Sequence, residues 1–311
     1  MEVFDVGADG AAVPAASPRA PRRAGSAWRW VLSPIADPAF GPWVHAALPE
    51  AASALLDAET RPRCEPGEEG LLLNLRAMNA EPDEDMVSIR IWLAGDLVVV
   101  TGRRPATNVE AMADAARAGQ APASPGAFLA ALVDGLTVDI ERASLVLDDR
   151  ADDMEETLTA GDAEFEDAEE LPVLRRRTIA LRRYLAPQRE ALDRLGRVPV
   201  GALGKRPRAA LREAANRTTR SLEEIDATRD RLSALADHLT TLQRMQVERH
   251  NYILTIVAAI FLPLNLLAGL FGANLAGIPF EDEPWGFGAL VGFCALVGLG
   301  LWLFFRRRRW F

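Results

Sequence analysis

Near the carboxyl end of the chain, polar and small residues recur every three or four positions within an apolar segment. They are Asn251, Thr255, Ala258, Leu262, Asn265, Gly269 and Gly272. In an α-helix this spacing places all of them on one face, which we call the polar stripe. An asparagine in the middle of an apolar span is costly unless it meets water or a partner. The polar stripe is therefore typical either of a water-filled passage or of a hydrogen bond between helices.

The apolar segment ends in a Gly-x-Asn tripeptide, Gly272-Ala273-Asn274. The glycine permits a tight turn, so that in a ring of identical chains the Asn274 carboxamide oxygens would converge on the axis. Neutral oxygens can hold the water shell of a hydrated divalent cation and still release it. The tripeptide alone is common by chance, but its position at the outer end of a span indicates a selectivity filter. The predicted pore residues are Gly272, Asn274, Asn265, Asn251 and Thr255.

Three carboxylates, which we call the acidic loop, follow this tripeptide. They are Glu281, Asp282 and Glu283. Because carboxylates raise the local concentration of cations, the acidic loop is predicted to attract cations to the mouth of the passage. The metal contact itself is assigned to Asn274, through the water shell of the ion.

Two uncharged stretches, 252–271 and 286–305, are each long enough to cross a bilayer at 1.5 Å per residue. Arginines precede the first stretch and follow the second, whereas the connecting segment carries no basic residue. Positive flanks stay cytoplasmic. The sequence therefore predicts membrane spans at 251–272 and 286–306, an extracytoplasmic loop at 273–285 and a basic tail at 307–311. Because these positive flanks stay inside, both termini are expected in the cytoplasm. Residues 1–27 also lack a secretory signal.

The part of the chain before these spans mixes helical and strand patterns. Residues 1–27 are rich in Ala, Pro and Gly and predict a disordered tail. Residues 28–207 predict a cytoplasmic α/β domain with a helical hairpin. Its predicted strands are 28–32, 70–77, 86–93 and 97–101, and its long helices are 127–159 and 171–195.

From Arg208 to Leu262 the chain contains neither Gly nor Pro. We predict one helix over 208–271, about 95 Å long, with a stalk at 208–250 that continues into the first span. Such a helix cannot stand alone in water, so it implies an oligomer with the pore on its axis. The alternative is a monomer whose helix packs on residues 127–195. The predicted fold class is α+β.

Composition excludes several classes of function. The chain has 311 residues with 35 basic and 44 acidic side chains, and this negative balance argues against a nucleic-acid partner. Its 2 cysteines do not build a disulfide framework. The sequence carries no dinucleotide fingerprint, no P-loop and no nucleophile elbow, so we expect neither an enzyme nor a tightly bound cofactor.

A dense acidic run over 148–170 indicates either an ion-sensing surface or a solvated hairpin tip. A basic run follows it and is predicted to pair with it along antiparallel helices. The run comprises Arg175, Arg176, Arg177, Arg182 and Arg183.

The stretch from Ile260 to Pro279 resembles the CorA superfamily of divalent-cation transporters. Within that superfamily, Gly277-Ile278-Pro279, the lack of a methionine at position 273, and the strand from Met86 to Trp92 resemble the ZntB branch of zinc transport proteins. The resemblance implies a homopentamer with a funnel-shaped cytoplasmic domain in the bacterial inner membrane. It also implies zinc uptake coupled to the proton gradient, with Gly272 and Asn274 as the filter.

Two alternatives stay open from the residues themselves. The pore segment offers few of the Cys, His and carboxylate ligands that zinc prefers. This fits the passage of hydrated ions but does not separate Zn²⁺ from Mg²⁺ or Co²⁺. The chain could therefore be a magnesium or cobalt channel driven by the membrane potential, or a membrane-anchored scaffold without flux.

Overall fold

A computed structural model describes residues 1–57, 61–79, 86–160, 165–198, 203–272 and 285–307. Its elements are β1 (Glu2–Gly7), β2 (Ala12–Pro14), β3 (Ser26–Pro34), α1 (Phe40–Ala47), α2 (Pro49–Leu56), β4 (Arg63–Pro66), β5 (Leu71–Ala77), β6 (Val87–Ala94), β7 (Leu97–Gly102), α3 (Thr107–Arg117), α4 (Pro125–Ala160), α5 (Phe165–Arg197), α6 (Lys205–Phe271) and α7 (Gly286–Arg307). The chain divides into an amino-terminal unit, Met1–Ala236, and a carboxyl-terminal unit, Asp237–Phe311.

The amino-terminal unit is built on a seven-stranded sheet with the order β2-β1-β3-β7-β6-β5-β4. Only β3 and β7 run parallel among the pairs of this sheet. Helices α1 and α2 cover one face, and residues of α3, α4, α5 and α6 join the core on the other. Because both faces are buried, the central strands are nearly continuous apolar runs such as Leu71-Leu72-Leu73 and Val98-Val99-Val100.

The predicted disordered tail at 1–27 is wrong. Strand β1 pairs antiparallel with both β2 and β3, and Val3, Phe4 and Val6 are buried in the core. The apolar run of β1 is too short to stand out within a Pro- and Gly-rich segment. Its stability comes from pairing with β3, which a local pattern does not reveal.

A buried ion pair fixes this amino-terminal strand to the sheet. Arg29 Nε donates to Asp5 Oδ1 at 2.7 Å, and each of the two residues is 4% exposed. Arg29 Nη1 also donates to the carbonyls of Pro18 and Ala20, at 3.0 and 2.8 Å. Burial raises the pKa of Asp5, but hydrogen bonds from Arg29 and from the Arg23 amide outweigh it, so the pKa lies below its ordinary value. Asp5 therefore stays ionised inside the fold.

Replacing Asp5 by asparagine is expected to lower the free energy of unfolding by about 3–5 kcal/mol, because Arg29 would keep its charge without a buried partner. Urea unfolding of the detergent-solubilised protein, followed by the fluorescence of the buried Trp28 and Trp30, measures it. Because the pKa of Asp5 is lowered in the folded state, the stability that the Asp5–Arg29 pair adds to the wild type should be lost as pH falls through that pKa. The stability of the variant should lack this pH dependence.

The matched control is Arg22→Gln, which removes the more exposed pair between Arg22 and Asp96. It should cost less than about 1 kcal/mol. Equal losses in Asp5→Asn and Arg22→Gln would contradict a special role for the buried pair.

Helix α6 is continuous from Lys205 to Phe271, which confirms the predicted single long helix and its continuation into the apolar segment. The helical spacing of apolar residues from Ala46 to Leu56 predicts one helix, but the structure has two helices, α1 and α2, that meet at Leu48 and Pro49. Proline at the first position of α2 has no N–H to continue α1.

Within the amino-terminal unit, acidic residues of α4 at intervals of seven hold α6. They are Asp134, Glu141, Asp148 and Glu155. Arg217 Nη1 donates to Asp134 and its Nε to Glu141, both at 2.7 Å. Thr228 donates to Asp148 at 2.8 Å, and Arg231 pairs with Asp148, Asp152 and Glu155. A spacing of seven keeps these side chains on one helix face, so α4 presents a row of carboxylates to α6.

The basic run of α5 was predicted to pair with the acidic run, and for Arg182 this prediction is wrong. Arg182 pairs with Asp226 of α6. The arginine that joins the acidic run of α4 is Arg231. The sequence placed Arg231 in a long helix but gave no register between that helix and α4.

Candidate functional site

The carboxyl-terminal unit contains the end of α6 and all of α7. Each helix includes an 18-residue window that is long and apolar enough to cross a membrane, with mean hydropathy 2.4 in α6 and 2.2 in α7. Almost no residue of either window is buried within the chain. Long helices that are predominantly apolar and yet exposed are typical of membrane spans.

One side of α6 is less exposed than the rest and packs against α7. Its residues are Ile256, Ala259, Ile260, Pro263, Leu264 and Leu267. A Cβ added at Gly298 of α7 would lie 3.8 Å from Leu264 Cδ1, an ordinary van der Waals contact. An alanine would therefore fit at position 298, next to the Leu264 side chain.

The polar stripe lies on the other side of α6, and all seven of its residues are exposed. At 100° per residue, Asn251, Asn265 and Gly269 fall roughly opposite Ile256 and Leu267. The structure therefore brings together on one open face four of the predicted site residues, Asn251, Thr255, Asn265 and Gly272. This face is available to water or to another helix rather than to α7.

The oxygen atoms on this face suit a cation. Thr255 Oγ1 donates its proton to the Asn251 carbonyl oxygen at 2.8 Å, so its lone pairs remain free to accept. The carboxamide of Asn265 adds another neutral oxygen. Within the described residues, no three His, Cys, Asp or Glu side chains lie together to hold a metal ion. The oxygen atoms of the polar stripe can accept hydrogen bonds from the waters of a hydrated ion without replacing those waters.

The Gly-x-Asn tripeptide begins where the helix ends. The Gly272 amide donates to the Ala268 carbonyl at 2.9 Å, which closes the last turn of α6. Asn274 and the acidic loop, Glu281, Asp282 and Glu283, lie outside the described residues. The predicted filter therefore starts directly at the end of the polar stripe.

The residues that form the ion pairs between α6 and α4 are not among the predicted site residues. These ion pairs involve Arg217 and Arg231, which hold the part of α6 within the amino-terminal unit against α4. The seven-residue spacing of Asp134, Glu141 and Asp148 is the signal in the sequence that would have indicated them.

Comparison with known proteins gives consistent matches over most of the chain. The family model described as "CorA-like Mg2+ transporter protein" matches residues 27–307. The zinc transport protein ZntB of Pectobacterium atrosepticum is 30% identical over 293 residues, which cover 90% of this chain and 87% of that protein. The divalent cation transporter CmaX of Pseudomonas aeruginosa is 34% identical over 264 residues, 84% of this chain and 80% of that protein.

Solved structures agree with these matches. The full-length CmaX structure has a TM-score of 0.85 and 29% identity, and the match covers 100% of this chain and 98% of that one. The CorA magnesium transporter of Methanocaldococcus jannaschii has a TM-score of 0.81 at 18% identity, over 100% of this chain and 98% of that one, and shares the fold.

Proposed function

The chain belongs to the CorA-like Mg²⁺ transporter family, and from this premise we propose that it imports Zn²⁺ as a hydrated ion along the polar stripe. Membership of this family makes the chain a divalent-cation transporter of the CorA and ZntB type rather than an enzyme. The observation that carries the proposal is the exposed face with Asn251, Thr255 and Asn265 within an otherwise apolar segment.

An oligomer would give this face its function. In a ring of identical chains, the polar stripes would meet around a central axis, and the face of α6 that binds α7 would point away from it. We propose a homopentamer because the resemblance to the CorA superfamily implies one. Residues 208–250 would form its cytoplasmic stalk. The arginines that flank the two spans support a cytoplasmic position of both termini, in a bacterial inner membrane.

Asn274 would form the selectivity filter at the outer end of this passage. A ring of carboxamide oxygens can hydrogen-bond the water shell of a divalent ion while leaving the ion its own waters. Gly272 would let the chain turn so that Asn274 faces the axis. The acidic loop would concentrate cations outside the ring.

Zinc is proposed as the cargo because the ZntB relative is 30% identical over 90% of this chain. A second candidate is a magnesium or cobalt channel driven by the membrane potential. It is supported by the relative named as a divalent cation transporter, which is 34% identical, and by neutral oxygens on the polar stripe that do not favour zinc over Mg²⁺.

Reconstituted liposomes separate these candidates. The purified full-length protein is assayed for Zn²⁺ and Mg²⁺ uptake at two internal pH values, with the membrane potential clamped to the same value. Proton-coupled zinc transport requires Zn²⁺ uptake that responds to the pH gradient at constant potential. Uptake of Mg²⁺ that follows potential alone would favour the channel, and no flux of either ion would reject both.

Replacing Asn265 by leucine is expected to slow Zn²⁺ uptake about tenfold, the effect of about 1.4 kcal/mol on a rate, because the ion's water shell loses a polar neighbour in mid-span. Uptake into liposomes measures it. The control is Leu266→Ala, since Leu266 is the exposed next residue of the same helix outside the polar stripe. If Asn265→Leu instead dissociates the oligomer on gel filtration, the carboxamide holds helices together and does not line a passage.

A further inference from the structure

The open face of α6 that carries the polar stripe continues on the amino-terminal side of Asn251. Two charged residues, Arg244 and Glu248, precede Asn251 within the carboxyl-terminal unit, in the same unbroken helix. At 100° per residue, Arg244 lies about 20° and Glu248 about 60° around the helix axis from Asn251. Both residues are exposed. They therefore extend the polar stripe by about two turns with a base and an acid.

The other charged and titratable residues near this end of the apolar segment lie elsewhere on the helix. Arg249 is about 160° and His250 about 100° around the axis from Asn251. Asp237 is on the side of Arg244 but about 10 Å further along the helix, which is about one Debye length at 0.1 M salt. Arg244 and Glu248 are thus the charges that act most directly on the end of the polar stripe.

Neither of these two charges is neutralised within the described part of the chain. The ion pairs that α6 makes there involve residues before position 232, and none includes Arg244 or Glu248. An arginine four residues before a glutamate is also the less favourable order for a pair on one helix. Both side chains are therefore available to an ion that passes along this face.

The next step rests on the proposed function, in which the polar stripes of identical chains surround an axis. Each of the two residues then becomes a ring of like charges. A hydrated cation that moves inward from Asn251 would reach the Glu248 carboxylates after about 4.5 Å and the Arg244 guanidiniums after about 6 Å more. The carboxylates attract the cation and the guanidiniums repel it, and both effects are about twice as strong for a divalent as for a monovalent ion.

We propose that Glu248 and Arg244 form the inner mouth of the passage. Glu248 is the last residue to attract the hydrated cation, and the ring of Arg244 limits the rate at which divalent cations leave. Because arginine stays protonated over the whole range of transport assays, this barrier does not depend on pH. The competing explanation is that Arg244 only keeps the flank of the span cytoplasmic, a role that Arg249 would share.

Initial Zn²⁺ uptake by the full-length protein in liposomes, at a clamped membrane potential, separates these explanations. Arg244→Gln should raise the uptake rate about tenfold at low ionic strength, because it removes a ring of repelling charges. The gain should shrink as salt is added. Arg244→Lys keeps the charge and should transport as the wild type does. The matched control is Arg249→Gln, which neutralises an exposed arginine on another side of the same helix and should leave the rate unchanged.

Glu248→Gln is expected to lower uptake about tenfold at low ionic strength, since the attracting ring is lost. Glu248→Asp retains the charge and should restore most of the rate, which a loss through misfolding would not allow. A faster rate in Arg244→Gln does not arise from misfolding either, provided that the vesicles retain an entrapped dye and are therefore not leaky.

The outcomes distinguish this inference from the proposed function. A wild-type protein that takes up neither Zn²⁺ nor Mg²⁺ would reject both. Wild-type uptake together with unchanged rates in Arg244→Gln and Glu248→Gln would overturn the inner mouth alone. So would a slower rate in Arg244→Gln, or equal gains in Arg244→Gln and Arg249→Gln, because the effect would then not depend on the face that carries the polar stripe.

Discussion

Replacing Asn274 by alanine is expected to reduce Zn²⁺ uptake into liposomes to the level of vesicles without protein. The proposed filter consists of one carboxamide per chain, so a single substitution removes every polar group of the ring. A methyl group cannot hydrogen-bond the waters of the ion, and the ion would have to shed waters for which nothing compensates. Time-resolved uptake with a zinc-sensitive dye inside the vesicles measures the effect.

The matched control is Asn216→Ala. Asn216 is an exposed asparagine of α6 within the amino-terminal unit, so its substitution should leave uptake unchanged. Gel filtration must show that Asn274→Ala forms the same oligomer as the wild type. Wild-type uptake by a correctly assembled Asn274→Ala protein would reject the filter.

Reversal of the acidic loop should have the next largest effect. With lysine at positions 281, 282 and 283, initial Zn²⁺ uptake at low ionic strength should fall by about 10- to 1,000-fold, the range over which a charged surface changes the local ion concentration. The difference from wild type should shrink as salt is added, because the Debye length falls to about 10 Å at 0.1 M. Initial uptake rates over a series of salt concentrations give both results.

Neutral replacements separate charge from side-chain shape. The combination of Glu281→Gln, Asp282→Asn and Glu283→Gln keeps the size of each side chain and should slow uptake to an intermediate rate. If the neutral and the reversed loops both conduct as wild type at every salt concentration, the segment only connects the two spans.

Local patterns in the sequence were sufficient to predict most of the elements that carry the site. The long run without Gly or Pro predicted α6, and two uncharged stretches predicted the apolar helices, because these signals depend on composition over many residues. Strand β1 was missed because its stability comes from pairing with β3 and from the Asp5–Arg29 ion pair. Such contacts join residues that are distant in the sequence and come together only when the chain folds.

For the candidate site, the three- to four-residue spacing was enough to predict that Asn251, Thr255 and Asn265 share one face. It could not predict which face of α6 would be covered, since that depends on the packing of α7 through Gly298 and Leu264. The contacts of Arg217 and Arg231 with α4 also required the register between two helices. A periodic pattern in one helix does not specify the phase of its neighbour.

The continuity of α6 sets a rule for insertions and deletions between its α4-binding residues and the polar stripe. Each residue removed from 237–250 turns everything beyond it by about 100° around the helix axis. Removing one residue would therefore turn the Asn265 carboxamide away from its original direction without changing any residue of the polar stripe. Removing seven would restore the original azimuth to within about 20° and shorten the rod by roughly 10 Å. Deletions of seven residues should therefore reduce uptake less than deletions of one residue.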